Sequence, residues 1–167
     1  MKAKTKKSIQ PKSSGKTKLL VYIDDGEYSG VALRFACTKA TRSKRQVEML
    51  YVLEPMDLVG LTGVEDVMRK ERREKAEKVL KKLAFEANAF AGLTPSLIIR
   101  EGLPQEQILA VLNDDQDIGA LVLGESAGVK DGNKMISWLV THARGKLRAP
   151  IIIVPGSLTE QQIIALA

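Results

Sequence analysis

Residues 19–40 read LLVYIDDGEYSGVALRFACTKA, and this stretch decides the fold. Leu19 to Ile23 is an unbroken apolar run rich in strand formers. Asp24-Asp25-Gly26-Glu27 ends it with turn chemistry. Ser29 is then placed to cap a helix whose apolar positions are Ala32, Leu33, Phe35, Ala36, Cys37 and Ala40. An apolar strand, a polar turn and an amphipathic helix form the first half of a β-α-β unit.

The same unit repeats along the chain. A second strand covers Val47–Leu53 and is closed by Pro55. A long helix follows, with Val64, Val67, Met68, Ala76, Val79, Leu80, Leu83, Ala84, Ala87 and Phe90 at helical spacing. Glu71–Lys75, Glu74–Lys78 and Glu77–Lys81 are its expected i,i+4 ion pairs, and Gly92 its C′ residue. Leu97–Ile99 is a third strand, and Gly102 and Pro104 open a helix with Ile108, Leu109, Val111 and Leu112 inward. Ala120–Leu123 is a fourth strand. A polar loop, Glu125–Asn133, leads to a fourth helix through Trp138, Leu139, Val140, Ala143 and Leu147. Ile151–Val154 is a fifth strand, and Ser157 and Glu160 have the spacing of a capping box for a short last helix. Strands that read as continuous apolar runs are buried on both faces, which predicts a parallel sheet between two layers of helices. In such a sheet a ligand binds beyond the carboxyl ends of the strands, where the strand order reverses.

Composition excludes several classes. The chain has 167 residues, 44% hydrophobic and 28% charged, as in an ordinary globular domain. One cysteine, Cys37, allows no internal disulfide, and at helical spacing with Leu33 and Ala40 it is expected as a small buried residue. One histidine, His142, leaves almost no room for a Cys/His zinc site or a His-based triad. No run approaches the ~20 apolar residues of a membrane helix. The amino terminus has no apolar core of a secretory signal, so no membrane association and a cytoplasmic location are expected. Asp114, Asp115 and Asp117 lack the spacing of a calcium loop and are expected as a helix-to-strand turn.

The net charge of +6 belongs to one end. Residues 1–18 hold seven of the 26 basic residues and no acid, leaving 19 basic against 20 acidic residues in the body. Nucleic-acid binding by the body is therefore not expected. Residues 1–17 are expected to be a disordered basic tail, with weak binding to nucleic acid at low salt.

Taken together, Leu20–Leu33 (LVYIDDGEYSGVAL), Val47–Pro55 (VEMLYVLEP), the Gly102-x-Pro104 helix start and Leu121–Val154 resemble the universal stress protein family. The resemblance spans residues 18–155 and leaves 156–167 as a carboxyl-terminal extension. It implies a three-layer α/β fold, Rossmann-like and close to the adenine nucleotide alpha hydrolases. It further implies a five-stranded parallel sheet of order 3-2-1-4-5 with four helices. It implies a homodimer too, and an apolar edge strand, Ile151, Ile152, Ile153 and Val154, is its expected interface.

In the nucleotide-binding branch of that family ATP lies at the switch point. The branch's motif is Gly, two residues, Gly, nine residues, Gly, then Ser or Thr. Carried over, the resemblance assigns nucleotide contacts to Asp24, Val52 and Gly124, with Ala127 and Ser137 on the second and third glycine positions and Trp138 on the hydroxyl position. Gly128 offers a shifted replacement. Only Gly124 matches the motif, and Asp24, Asp25, Glu27 and Glu125 crowd the expected mouth against Lys130 and Lys134, so a triphosphate would need a divalent cation there. The pattern is closer to the branch without these glycines. The expectation is a non-enzymatic, dimeric stress-response module with an unidentified protein partner, no cofactor and weak or absent ATP binding. The alternative is a regulatory module that binds ATP or AMP, with magnesium, through a non-consensus loop.

Overall fold

The computed structural model describes residues 17–56, 63–125 and 134–167. The expected tail thus lies almost wholly outside the described residues, as do Ala127 and Gly128. The elements run β1 (Lys18–Ile23), α1 (Ser29–Ser43), β2 (Gln46–Leu53), α2 (Val64–Ala91), β3 (Ser96–Glu101), α3 (Pro104–Asp114), β4 (Ile118–Glu125), α4 (Lys134–His142), β5 (Ile151–Pro155) and α5 (Glu160–Leu166). The sheet has the order β3-β2-β1-β4-β5, and every neighbouring pair is parallel.

Strand alternation divides the core into two layers. Leu19, Val21 and Ile23 of β1 join Val47, Met49 and Tyr51 of β2 in the layer beneath α1 and α2. Leu20 joins Leu50, Val52, Leu121 and Leu123 in the layer beneath α3 and α4. Leu19, Leu20, Val21 and Ile23 are all fully buried, as an apolar run covered on both faces requires. Cys37 is fully buried in the first layer, and burial pushes its thiol up to about 12, so it carries no reactive thiolate at neutral pH.

Local chemistry differs from the sequence reading at four points. Ser29 does not cap α1; it is the first helical residue, and its hydroxyl serves the β1–α1 loop. Of the three ion pairs expected along α2, Glu77–Lys81 forms at 3.6 Å, but Lys75 reaches across to Asp25 instead. The helix α4 stops at His142, and the chain turns through Gly145 at φ 75°, a conformation glycine accepts without strain. The capping box of α5 is built by Thr159 and Gln162, two residues beyond the expected Ser157 and Glu160.

The amino-terminal end of the sheet is closed by charged side chains. Lys18 Nζ donates to Asp115 Oδ2 at 2.6 Å, and the other Asp115 oxygen accepts the Asp117 N–H at 2.9 Å, closing the helix-to-strand turn. Arg148 ties the end of α3 to β4 by donating to the carbonyls of Leu112, Asp115, Gln116 and Ile118. The hydrogen bond from Lys18 holds the Asp115 carboxyl below its usual range. A carboxylate with a depressed folded pKa contributes stability above its unfolded value of ~3.9 and loses it as pH falls through the folded value. Asp115→Asn is therefore expected to cost about 1 kcal/mol at pH 7. In urea titrations across pH, its difference from the parent narrows below about pH 3.9.

Candidate functional site

Strand order reverses between β1 and β4. At their carboxyl ends lies a cleft of about 300 Å³, floored by Tyr22 and Leu123 and flanked by Asp24, Gly124 and the first turn of α4 through Met135 and Ile136. The β1–α1 loop is tied down by its own side chains. Asp24 Oδ1 accepts the Ser29 hydroxyl at 2.7 Å and the Gly26 N–H at 2.9 Å, while the Asp24 N–H donates to Ser29 Oγ at 3.1 Å. Asp24 Oδ2 makes no hydrogen bond among the described residues, and Asp24 lines the cleft. Asp25 turns to the opposite side of the sheet. It accepts from Tyr51 Oη at 2.7 Å and Lys75 Nζ at 3.3 Å, and the tyrosine hydroxyl, then the lysine, hold its carboxyl below the usual range. Burial pushes the Tyr22 hydroxyl well above its usual range, so it remains a neutral donor at the cleft floor.

Gly124 sits where β4 meets the start of α1. A Cβ there would lie 2.7 Å from the Tyr28 carbonyl oxygen and 3.0 Å from its carbon. The glycine permits a close approach of two backbone segments inside the protein. The Tyr28 ring is held in the same way from the other side, because a Cβ on Gly156 would fall 1.9 Å from its Cδ1. Tyr28 and Gly156 were not singled out by the sequence reading. A tyrosine in a turn and a glycine after a last strand carry no periodic signal, although a glycine directly after a buried strand is a cue to close approach.

The remaining nucleotide positions are spread out. Val52 is buried in the layer with Leu20, Leu50 and Ile108 and does not line the cleft. Ser137 is exposed on α4, and its carbonyl accepts the Thr141 hydroxyl at 2.7 Å. The Trp138 ring lies along the helix against His142, with centroids 5.7 Å apart and planes at 16°. It does not fill the cleft, contrary to the expectation of a ring in the phosphate position; Met135 and Ile136 are the residues of α4 that face in. Among the described residues, Asp24 and Glu27 line the cleft and no lysine or arginine does. Also among them, no group of three or more His, Cys, Asp or Glu side chains is arranged to hold a metal ion.

The sequence profile described as the universal stress protein family matches residues 16–148. The chain belongs to that family. Solved structures agree on the fold. The universal stress protein UspA from Lactobacillus plantarum superposes with a TM-score of 0.66 at 18% identity, covering 84% of this chain and 99% of that one. A universal stress protein in complex with cAMP gives 0.64 at 15% identity, covering 86% and 100%. The universal stress protein from Archaeoglobus fulgidus in complex with dAMP gives 0.58 at 18% identity, covering 82% and 96%. No curated protein sequence matches the chain significantly. No helix among the described residues is long and apolar enough to cross a membrane.

Proposed function

We propose that this universal stress protein is a non-enzymatic regulatory module that pairs with a second copy through β5 and binds ATP weakly or not at all. The observation that carries the reading is the lining of the switch-point cleft. Asp24 and Glu27 line it, and its described lining residues include no lysine or arginine. Phosphates are held by cations and by glycine-spaced backbone N–H groups at a helix start. Here the glycine that matches the motif is spent on the Tyr28 carbonyl, and the start of α4 presents Met135 and Ile136. Chemistry is not favoured either. The Ser29 hydroxyl donates to the Asp24 carboxylate at 2.7 Å, and among the described residues no histidine or lysine is hydrogen-bonded to it to activate a nucleophile. Pairing is supported by β5 as an edge strand whose Ile153 is 40% exposed and whose Ile151 and Ile152 are half-buried. Regulation would then run through contacts with a further protein in the cytoplasm.

A second reading is nucleotide binding through a non-consensus loop, with magnesium offsetting Asp24 and Glu27. It is favoured by the position and volume of the cleft and by the cAMP and dAMP complexes of the two relatives. The two readings separate in a motif-restoring variant, Ala127→Gly with Ser137→Gly and Trp138→Ser. MgATP binding by calorimetry is expected to be at least about tenfold tighter in that variant, a gain of ~1.4 kcal/mol. Equal affinity in parent and variant, in the micromolar range, would favour the second reading.

A further inference from the structure

Away from the switch point, the carboxyl ends of β2 and β3 and the first turns of α2 enclose another cleft, of about 370 Å³. It too lies at the ligand-binding edge of a parallel sheet. Leu53, Pro55 and Met56 give it an apolar floor, and Arg69 and Arg72, one turn apart on α2, form its wall. Arg72 is half-buried, and its Nη1 donates to the Glu54 carbonyl at 2.8 Å. That bond tethers the guanidinium at one nitrogen, while its other N–H groups have no partner among the described residues. Arg69 donates to the Glu101 carboxylate, and Arg73 Nη1 stands 3.8 Å from the second Glu101 oxygen.

We propose that this cleft binds a small organic monocarboxylate, with its apolar body on Leu53, Pro55 and Met56 and its carboxylate across Arg69 and Arg72. Glu101 is the internal stand-in for that carboxylate. It lies between two guanidinium groups, one carboxylate oxygen on Arg69 Nη2 and the other toward Arg73 Nη1, which shows that this wall accepts a carboxylate. Side-chain exposures of 64% for Arg69 and 35% for Glu101 place the pair among surface ion pairs, which contribute little and exchange readily. The incoming carboxylate takes Arg69 and Arg72, and Glu101 falls back on Arg73. The total charge of the lining does not drive this, since Glu54, Glu65 and Glu101 face two arginines. Attraction comes from the tethered, unspent donors of Arg72 and from apolar burial. The same acids exclude a polyanion, so a triphosphate is a poor occupant.

The probe is 3-phenylpropionate, titrated at low salt into the full chain, followed by calorimetry and by backbone amide NMR at Leu53, Met56 and Gly102. Its neutral amide, 3-phenylpropanamide, is the control. Arg72→Gln is expected to weaken binding by about tenfold or more through loss of a charged hydrogen bond. Glu101→Gln is expected to tighten it by about three- to fivefold, because the competing carboxylate is gone. A Glu101 with only a structural role would give no such gain. If Arg72→Gln fails to fold by circular dichroism, Arg72→Lys keeps the charge, loses the fork and is also expected to bind more weakly. Equal binding of the neutral amide, an unchanged affinity in Glu101→Gln, or no binding at tens of millimolar in both parent and Glu101→Gln would each overturn the proposal.

Discussion

Replacing Gly124 by valine is expected to destabilise the fold by about 3 kcal/mol, the range of overpacking against an unyielding neighbour. The new Cβ would stand 2.7 Å from the Tyr28 carbonyl oxygen, and the contact is backbone rather than the end of a flexible side chain. Relief requires β4 to move away from the start of α1. That movement loosens Ala32, fully buried and 3.5 Å from the same Cβ position. Gly30→Ala is the matched control. It lies in the first turn of α1 with nothing within 4 Å of its Cβ position, so alanine there is expected to be neutral or to stabilise by up to about 1 kcal/mol. Urea unfolding of the two variants separates a glycine required by packing from one kept for a ligand. A Gly124→Val protein as stable as its parent would show that the two segments do not constrain each other.

The second large effect concerns β5. The Leu121 N–H donates to the Pro150 carbonyl, with Leu121 paired to Ile151. In a parallel ladder this puts the Ile152 N–H on β4 and the Ile151 and Ile153 N–H groups on the open edge. Ile152→Pro is therefore expected to break the ladder itself and give monomer or aggregate. Ile153→Pro removes a donor from the open edge alone, where proline is tolerated. It is expected to leave a folded monomer, with dimer dissociation raised by about a hundredfold or more, ~2.7 kcal/mol. Light scattering with circular dichroism reads both. A folded Ile153→Pro protein that remains fully dimeric would rule out pairing through β5.

The architecture was legible in the sequence because strand and helix periods alternate without ambiguity. Leu19–Ile23 and Leu121–Leu123 are apolar at every position except Tyr22, and only a covered parallel sheet buries both faces of such a run. The pair Asp24 and Gly124 came with the strand order that the family resemblance implies, and the two do line one cleft. Side-chain partners were less legible. Lys75 has Glu71 at helical spacing but binds Asp25, 50 residues away, because the β1–α1 loop packs beside α2. Trp138 was read by position, yet its ring follows the helix to His142 rather than entering the cleft. The contacts that explain Gly124 and Gly156 both involve Tyr28, through its carbonyl for Gly124 and its ring for Gly156, and such tertiary contacts leave no pattern in the chain.

On the function proposed above, the switch-point cleft of this universal stress protein is poorly suited to a triphosphate. This is tested most directly on the unmodified chain, by mass spectrometry of small molecules released on denaturation and by calorimetric titration with MgATP. No co-purified adenine nucleotide is expected, and no saturable heat below about millimolar MgATP, equivalent to less than ~4 kcal/mol of binding. A stoichiometric nucleotide in the purified protein, or saturable micromolar binding weakened by Asp24→Asn, would contradict the proposed function.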